Sequence, residues 1–149
     1  EEPALFEPDK FPVFIITWGG EEYYGFPSYG IPGYKVGKFH HVGQIANPDD
    51  LDRSYRREDE LMLREFTEAV FPKAAGPVLK MSTCMFTNSP DKHFILGRDS
   101  SYPQVSFAAG FSGHGFKFCS TVGEIMADLA EQGETSHDIG LFDPARFGL

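Results

Sequence analysis

The 149-residue chain has only two cysteines, Cys84 and Cys119, and neither sits in a C-x-x-C pair. That excludes a disulfide framework and a redox pair, and free thiols fit a reducing, cytoplasmic compartment. No apolar run reaches the ~18–20 residues of a membrane span, and no secretory signal opens the chain. Basic residues are scarce, 13 Lys and Arg against 22 Asp and Glu, for a net charge of −9. Without a basic run to offset that charge, a nucleic-acid backbone is repelled. His40 and His41 are adjacent, but no further Cys, His or Asp follows at ligand spacing, so no metal site is expected. Nor does any G-x-G-x-x-G follow a strand, which removes the dinucleotide-binding βαβ unit. There is no repeat and no low-complexity tract.

What is present is apolar and aromatic. Hydrophobic residues make up 41% of the chain, including 15 Phe and 6 Tyr, enough for a substantial core. Sixteen Gly and 11 Pro predict frequent turns. Two β-rich runs, 11–18 and 21–26, flank Gly19-Gly20 and read as a hairpin. Residues 27–33 form a turn region, 34–42 a further strand, and Asn47-Pro-Asp-Asp50 a loop. Leu61, Met62, Phe66 and Ala69 alternate with charge at helical spacing over 56–71, and Pro72 stops the run. Segments 78–87 and 93–96 read as strands around an Asn88-Ser-Pro-Asp91 turn, and 105–109 as another. A second helix is expected over 113–131, with Val122, Ile125, Met126 and Leu129 as its apolar stripe and Gly133 as its cap. The order of elements indicates an α+β class.

The chemistry-bearing residues concentrate in 105–117. A short strand feeding a glycine-rich turn and then a helix aims backbone N–H groups and the positive end of the helix dipole at whatever lies before them. Gly110, Gly113 and Gly115 let backbone approach a ligand closely, or else serve only a tight packed turn. Lys117 falls in the helix's first turn, where the dipole disfavours a cation by ~0.3–1 kcal/mol. An anionic partner is one reason for that placement, and simple exposure another. Taken by itself, Cys84 reads as a small buried hydrophobe in a strand, and Cys119 as a core residue of the helix. Lys35, in Gly33-Tyr-Lys-Val-Gly37, reads as an exposed edge-strand lysine.

Two segments carry a resemblance. Cys84-Met-Phe-Thr-Asn-Ser-Pro-Asp-Lys-His-Phe94 and Ala109-Gly-Phe-Ser-Gly-His-Gly-Phe-Lys-Phe118 resemble the C-terminal signature of the flavin-dependent N-methyl amino acid oxidases, in the D-amino acid oxidase-like superfamily. The likeness runs from about residue 11 to residue 147. It implies an α+β chain in which residues 1–83 form part of an antiparallel substrate-domain sheet. Residues 84–149 would then return as a strand and helix to an FAD-binding domain whose N-terminal Rossmann unit is absent. It also implies FAD, covalently joined to Cys84 in the complete enzyme and absent from this chain by itself.

By the same resemblance, Lys117 binds the substrate carboxylate and lies near the pyrimidine end of the flavin, with Gly113, His114 and Gly115 lining the cofactor. Lys35 stands over the flavin and promotes oxygen reduction, while His40, favoured over His41, lines the substrate pocket. The arginine that partners the lysine in the family has no match, since Arg53, Arg56 and Arg57 stand in another context. The implied reaction oxidises a secondary amino acid such as sarcosine to an imine and releases hydrogen peroxide. The chain opens without Met, which fits a cut from a longer parent. Alone it is expected to be inactive, to bind flavin weakly, to need a missing N-terminal half and to be prone to self-association. The alternative is a non-enzymatic domain that self-associates or binds small carboxylates.

Overall fold

Gly19 and Gly20, at φ 60° and 82°, take the two left-handed positions of a tight turn. Strand β1 (Phe14–Trp18) therefore folds straight back onto β2 (Glu21–Phe26), as the Gly-Gly pair predicts. β3 (Lys35–Lys38) then pairs with the other edge of β2, completing an antiparallel meander in the order β1-β2-β3. β3 stops well short of the expected residue 42 because His40 and His41 turn left-handed, at φ 56° and 45°, and break the pleat. The computed structural model describes residues 2–148. They group into two compact units, Glu1–Cys84 and Met85–Leu149.

Helix α1 (Arg57–Val70) covers one face of the meander, with Glu58, Asp59 and Glu60 in the first turn where the dipole favours acids. The inward residues are Phe66 and Thr67, whereas Leu61 from the expected stripe stays 49% exposed. Phe66, fully buried, stacks on Tyr23 at 4.1 Å, and Trp18 meets both rings at 6.0 Å. Asn47 does more than mark a loop: its side chain accepts from Asp49 N at 3.1 Å and caps a 3-10 turn, Pro48–Asp50. The expected strand over 78–87 does not form. Val78 and Leu79 remain 43% and 67% exposed, and no neighbouring edge pairs with the segment among the described residues. An apolar run becomes a strand only when a partner satisfies its backbone.

In the second unit, β4 (Ile95–Arg98) pairs antiparallel with β5 (Ser106–Ala109). The expected strand at 93–96 is thus displaced by two residues. Helix α2 (Cys119–Glu131) packs on this pair. Phe94, Leu96, Ile125 and Leu129 form the core, with Val122, Met126, Ile139 and Phe142 against it, so the stripe read from the sequence is the buried face. Gly133, at φ 80°, terminates α2, and its carbonyl accepts from Arg98 Nη1 at 3.0 Å.

Helix α2 begins six residues later than expected. Ser112 and Gly113 are left-handed, and residues Phe116–Phe118 form a separate 3-10 turn before the α-helix starts. Lys117 accordingly lies in that turn and not in the first turn of an α-helix. Cys84 lies outside any strand, and Cys119 opens α2; both are exposed free thiols, not core residues.

Candidate functional site

The glycine segment after β5 closes a tight turn. His114 N donates to Phe111 O at 3.0 Å, with positive φ at both intervening residues, 50° at Ser112 and 80° at Gly113. That is a type I′ turn. A side chain at Gly113 would press on the Phe86 ring at 3.1 Å, and one at Gly115 would collide with Phe111. Only glycine fits either place. The His114 ring lies 4.9 Å from that of Phe94, and its Nε2 is 3.1 Å from Lys92 O. The Lys117 ammonium stands 5.4 Å from the centre of the Phe118 ring, beside a Phe116 that is 92% exposed. His114 and Lys117 share the rim of a cavity of about 470 Å³ whose floor is Phe94, Leu96, Val122 and Ile125.

The first unit presents a second group of residues. On the sheet face opposite α1, Lys35 sits across from Phe26, its Nζ 5.0 Å over that ring. Tyr24, two residues along, covers Gly37 and tilts against Phe39 at 4.8 Å. Burial pushes the Tyr24 phenol up, and the nearby Cys84 sulfur adds to the shift. Ile15, 64% exposed, shares this open face. His41 is committed to Asp59 on α1, Nε2 to Oδ1 at 2.9 Å. His40 instead borders a cavity of about 390 Å³ with Thr17, Glu21, Glu22 and Phe39.

Of the expected site residues, Lys35 and His40 thus belong to the Glu1–Cys84 unit, which ends on Cys84. Gly113, His114, Gly115 and Lys117 belong to Met85–Leu149. No cluster of three His, Cys, Asp or Glu suited to a metal ion occurs among the described residues. Sequence reasoning passed over Tyr24, Ser89 and Ser112. The alternation of β2 places Tyr24 on the same face as Lys35, which was the available signal for it; the two serines carry none.

A family model described as FAD dependent oxidoreductase (DAO) matches residues 2–129, most of the chain. The chain belongs to that family. It is 45% identical over 141 residues to a monomeric sarcosine oxidase of Bacillus sp. (strain NS-129), a match covering 93% of this chain and 36% of the relative. It is also 35% identical over 142 residues to an N-methyl-L-tryptophan oxidase of Escherichia coli O139:H28, covering 93% of the chain and 37% of the relative. Among solved structures, the L-proline dehydrogenase of P. horikoshii superposes with a TM-score of 0.70 at 26% identity, over 84% of this chain and 32% of that one. The chain therefore spans about a third of the length of the relatives it matches.

Membership in the family implies FAD in the parent enzyme. The residues present suit such a group. In the first unit the Cys84 thiol is free and exposed; in the second, Phe116 leaves a flat apolar face open beside the exposed Lys117. No helix is long and apolar enough to cross a membrane among the described residues.

Proposed function

We propose that this chain serves the oxidation of a small secondary amino acid, N-methylated like sarcosine or cyclic, to its imine. Molecular oxygen takes up the two electrons and two protons as hydrogen peroxide, and water hydrolyses the imine. FAD, when bound, supplies the hydride acceptor and the oxygen-reactive centre. The observation that carries the reading is the exposed Lys117, three residues after the 111–114 turn, in a chain 45% identical to a monomeric sarcosine oxidase.

Each residue has a task that its chemistry fits. Lys117 provides a positive charge for the substrate carboxylate, and Gly113, His114 and Gly115 give the cofactor backbone to lie against. Cys84 would hold the cofactor through a thioether at the flavin's 8α carbon, its sulfur replacing one methyl hydrogen while that hydrogen, the thiol proton and the two electrons released pass through the flavin to oxygen as peroxide. Lys35, held over the Phe26 ring on an open sheet face, lowers the cost of negative charge as oxygen is reduced. His40 borders the substrate, while the 2.9 Å contact of His41 Nε2 with Asp59 Oδ1 keeps His41 out of that role. With no arginine to complete the carboxylate clamp, the chain alone binds substrate weakly and turns over none.

The test is co-expression of the chain with the portion of the Bacillus relative that it does not match, in the presence of FAD. The purified complex should release peroxide from sarcosine, and the denatured 149-residue chain should carry the added mass of one FAD. Lys117→Met should raise the KM for sarcosine by roughly tenfold or more. An FAD-loaded complex silent toward sarcosine, N-methyl-L-tryptophan and L-pipecolate would overturn the reading. So would amine turnover indifferent to Lys117→Met.

A further inference from the structure

Ser112 has a backbone that its residue type disfavours. The central positions of a type I′ turn need positive φ and are normally Asn, Asp or Gly. Serine at the first of them, at φ 50°, carries a steric penalty that glycine escapes. Such a conformation persists only where the surroundings over-determine it.

The side chain supplies that control. Ser112 is only 5% exposed; its Oγ donates to Gly110 O at 2.9 Å and accepts from Ser89 N at 3.2 Å. Its own N–H donates to Thr87 O at 3.0 Å. Ser89, equally buried, donates through Oγ to His93 O at 2.6 Å, with Asp91 Oδ1 at 3.1 Å as the competing acceptor. Asp91 also accepts from His93 N at 3.0 Å and from Arg146 Nε at 2.8 Å. Arg146 reaches further, donating to Phe94 O at 2.7 Å and His93 O at 3.3 Å. A continuous set of bonds therefore runs from the C-terminal 3-10 turn, Pro144–Phe147, through the 89–93 loop to the glycine turn.

We propose that Ser112 is a positioning residue. Its hydroxyl, clasped by Ser89 and braced through Asp91 and Arg146, holds the 111–114 turn in the left-handed form that presents Gly113, His114 and Lys117 to the cofactor. What the turn faces rests on the flavin reading above; what holds the turn rests on the hydrogen bonds alone. The clasp acts through backbone geometry and touches no reacting atom.

Amide hydrogen exchange on the full chain, read by NMR, tests this. The His114 N–H closes the turn and is the reporter. In Ser112→Ala and Ser89→Ala it should exchange roughly tenfold faster or more, while the Leu96 and Leu129 amides keep their rates. Ser112→Gly, which holds positive φ without a clasp, should bring His114 back to within about threefold of the native rate. Free FAD titrated into the native chain should shift the amides of residues 113–117, less so in Ser112→Ala, and again in Ser112→Gly. An unchanged His114 rate in Ser112→Ala overturns the proposal, as do core amides that accelerate in step with it, which would mark Ser112 as merely structural. If saturating FAD shifts no amide in any variant while the hydroxyl dependence persists, the clasp stands and its presentation of the turn to the cofactor falls; the flavin reading itself is decided by the co-expressed complex.

Discussion

Replacing Tyr34 with Phe should stabilise the first unit even though it deletes a polar group. The Tyr34 ring is packed by Phe6, Phe11 and Phe71 at 5.4, 5.8 and 5.7 Å and stacks with Phe14 at 6.1 Å. Its buried hydroxyl meets no hydrogen-bond partner among the described residues. Thr67 offsets a little of the rise in the phenol's pKa, yet no hydrogen bond joins the two hydroxyls; Thr67 Oγ1 donates to Leu63 O at 2.8 Å. An unpaired buried hydroxyl costs ~1–3 kcal/mol, and Phe keeps every ring contact, so Tyr34→Phe should gain about 1 kcal/mol. For a unit of this size that is a rise of roughly 4–8 °C in Tm.

Urea unfolding followed by far-ultraviolet circular dichroism should show a higher midpoint at unchanged m. Alkali gives a second reading. Burial holds the Tyr34 phenol far above its ordinary 10.0, so its folded pKa is raised. The stability this represents is complete below about pH 10 and is lost as pH climbs beyond it. Tyr34→Phe should flatten part of that alkaline loss, leaving the share due to Tyr24. A lowered midpoint would refute the reasoning. So would coupling with Thr67→Val above about 0.5 kcal/mol in a double-mutant cycle, since either result means the hydroxyl is bonded.

Leu96→Ala, at a core site only 1% exposed, should cost the second unit ~2–5 kcal/mol, measured as a fall in the free energy of exchange of the Leu129 amide. Gly113→Ala must place a methyl group 3.1 Å from Phe86 at φ 80°, so it should cost ~1–2 kcal/mol and show as faster exchange at His114. The Asp91 carboxyl is held well below the usual carboxylate range, chiefly by Arg146. Its contribution is therefore complete above about pH 4 and fades as pH falls. The acid-side loss of protection at Leu96 should be shallower in Asp91→Asn than in the native chain, and parallel profiles would contradict this.

The sequence was most legible where a local rule and the tertiary structure agree. Gly19-Gly20 dictates a hairpin, and Val122, Ile125, Met126 and Leu129 recur at a spacing that only a half-buried helix explains. It was least legible where backbone handedness decides the outcome. Residue type alone does not fix positive φ at His40, His41 or Ser112, yet those residues shorten β3 and delay α2. Residues 78–87 failed for another reason: strand propensity is local, but a strand's partner is not. Motif likeness picked out Lys35, Cys84 and Lys117, residues whose charge or thiol suits the proposed chemistry. It passed over Ser89 and Ser112, whose part is played through hydrogen bonds to residues 23 positions apart and invisible to spacing.

Trp18 is the chain's single tryptophan, and it sits edge-on to Tyr23 and Phe66 in the first unit. The second unit has Tyr102 as its sole tyrosine and no tryptophan at all. Light absorbed at the red edge of the protein band is therefore re-emitted from one half of the molecule only. Indole emission will follow the loosening of the Phe66 packing. The chain has a built-in optical label that separates its two halves without any chemical modification.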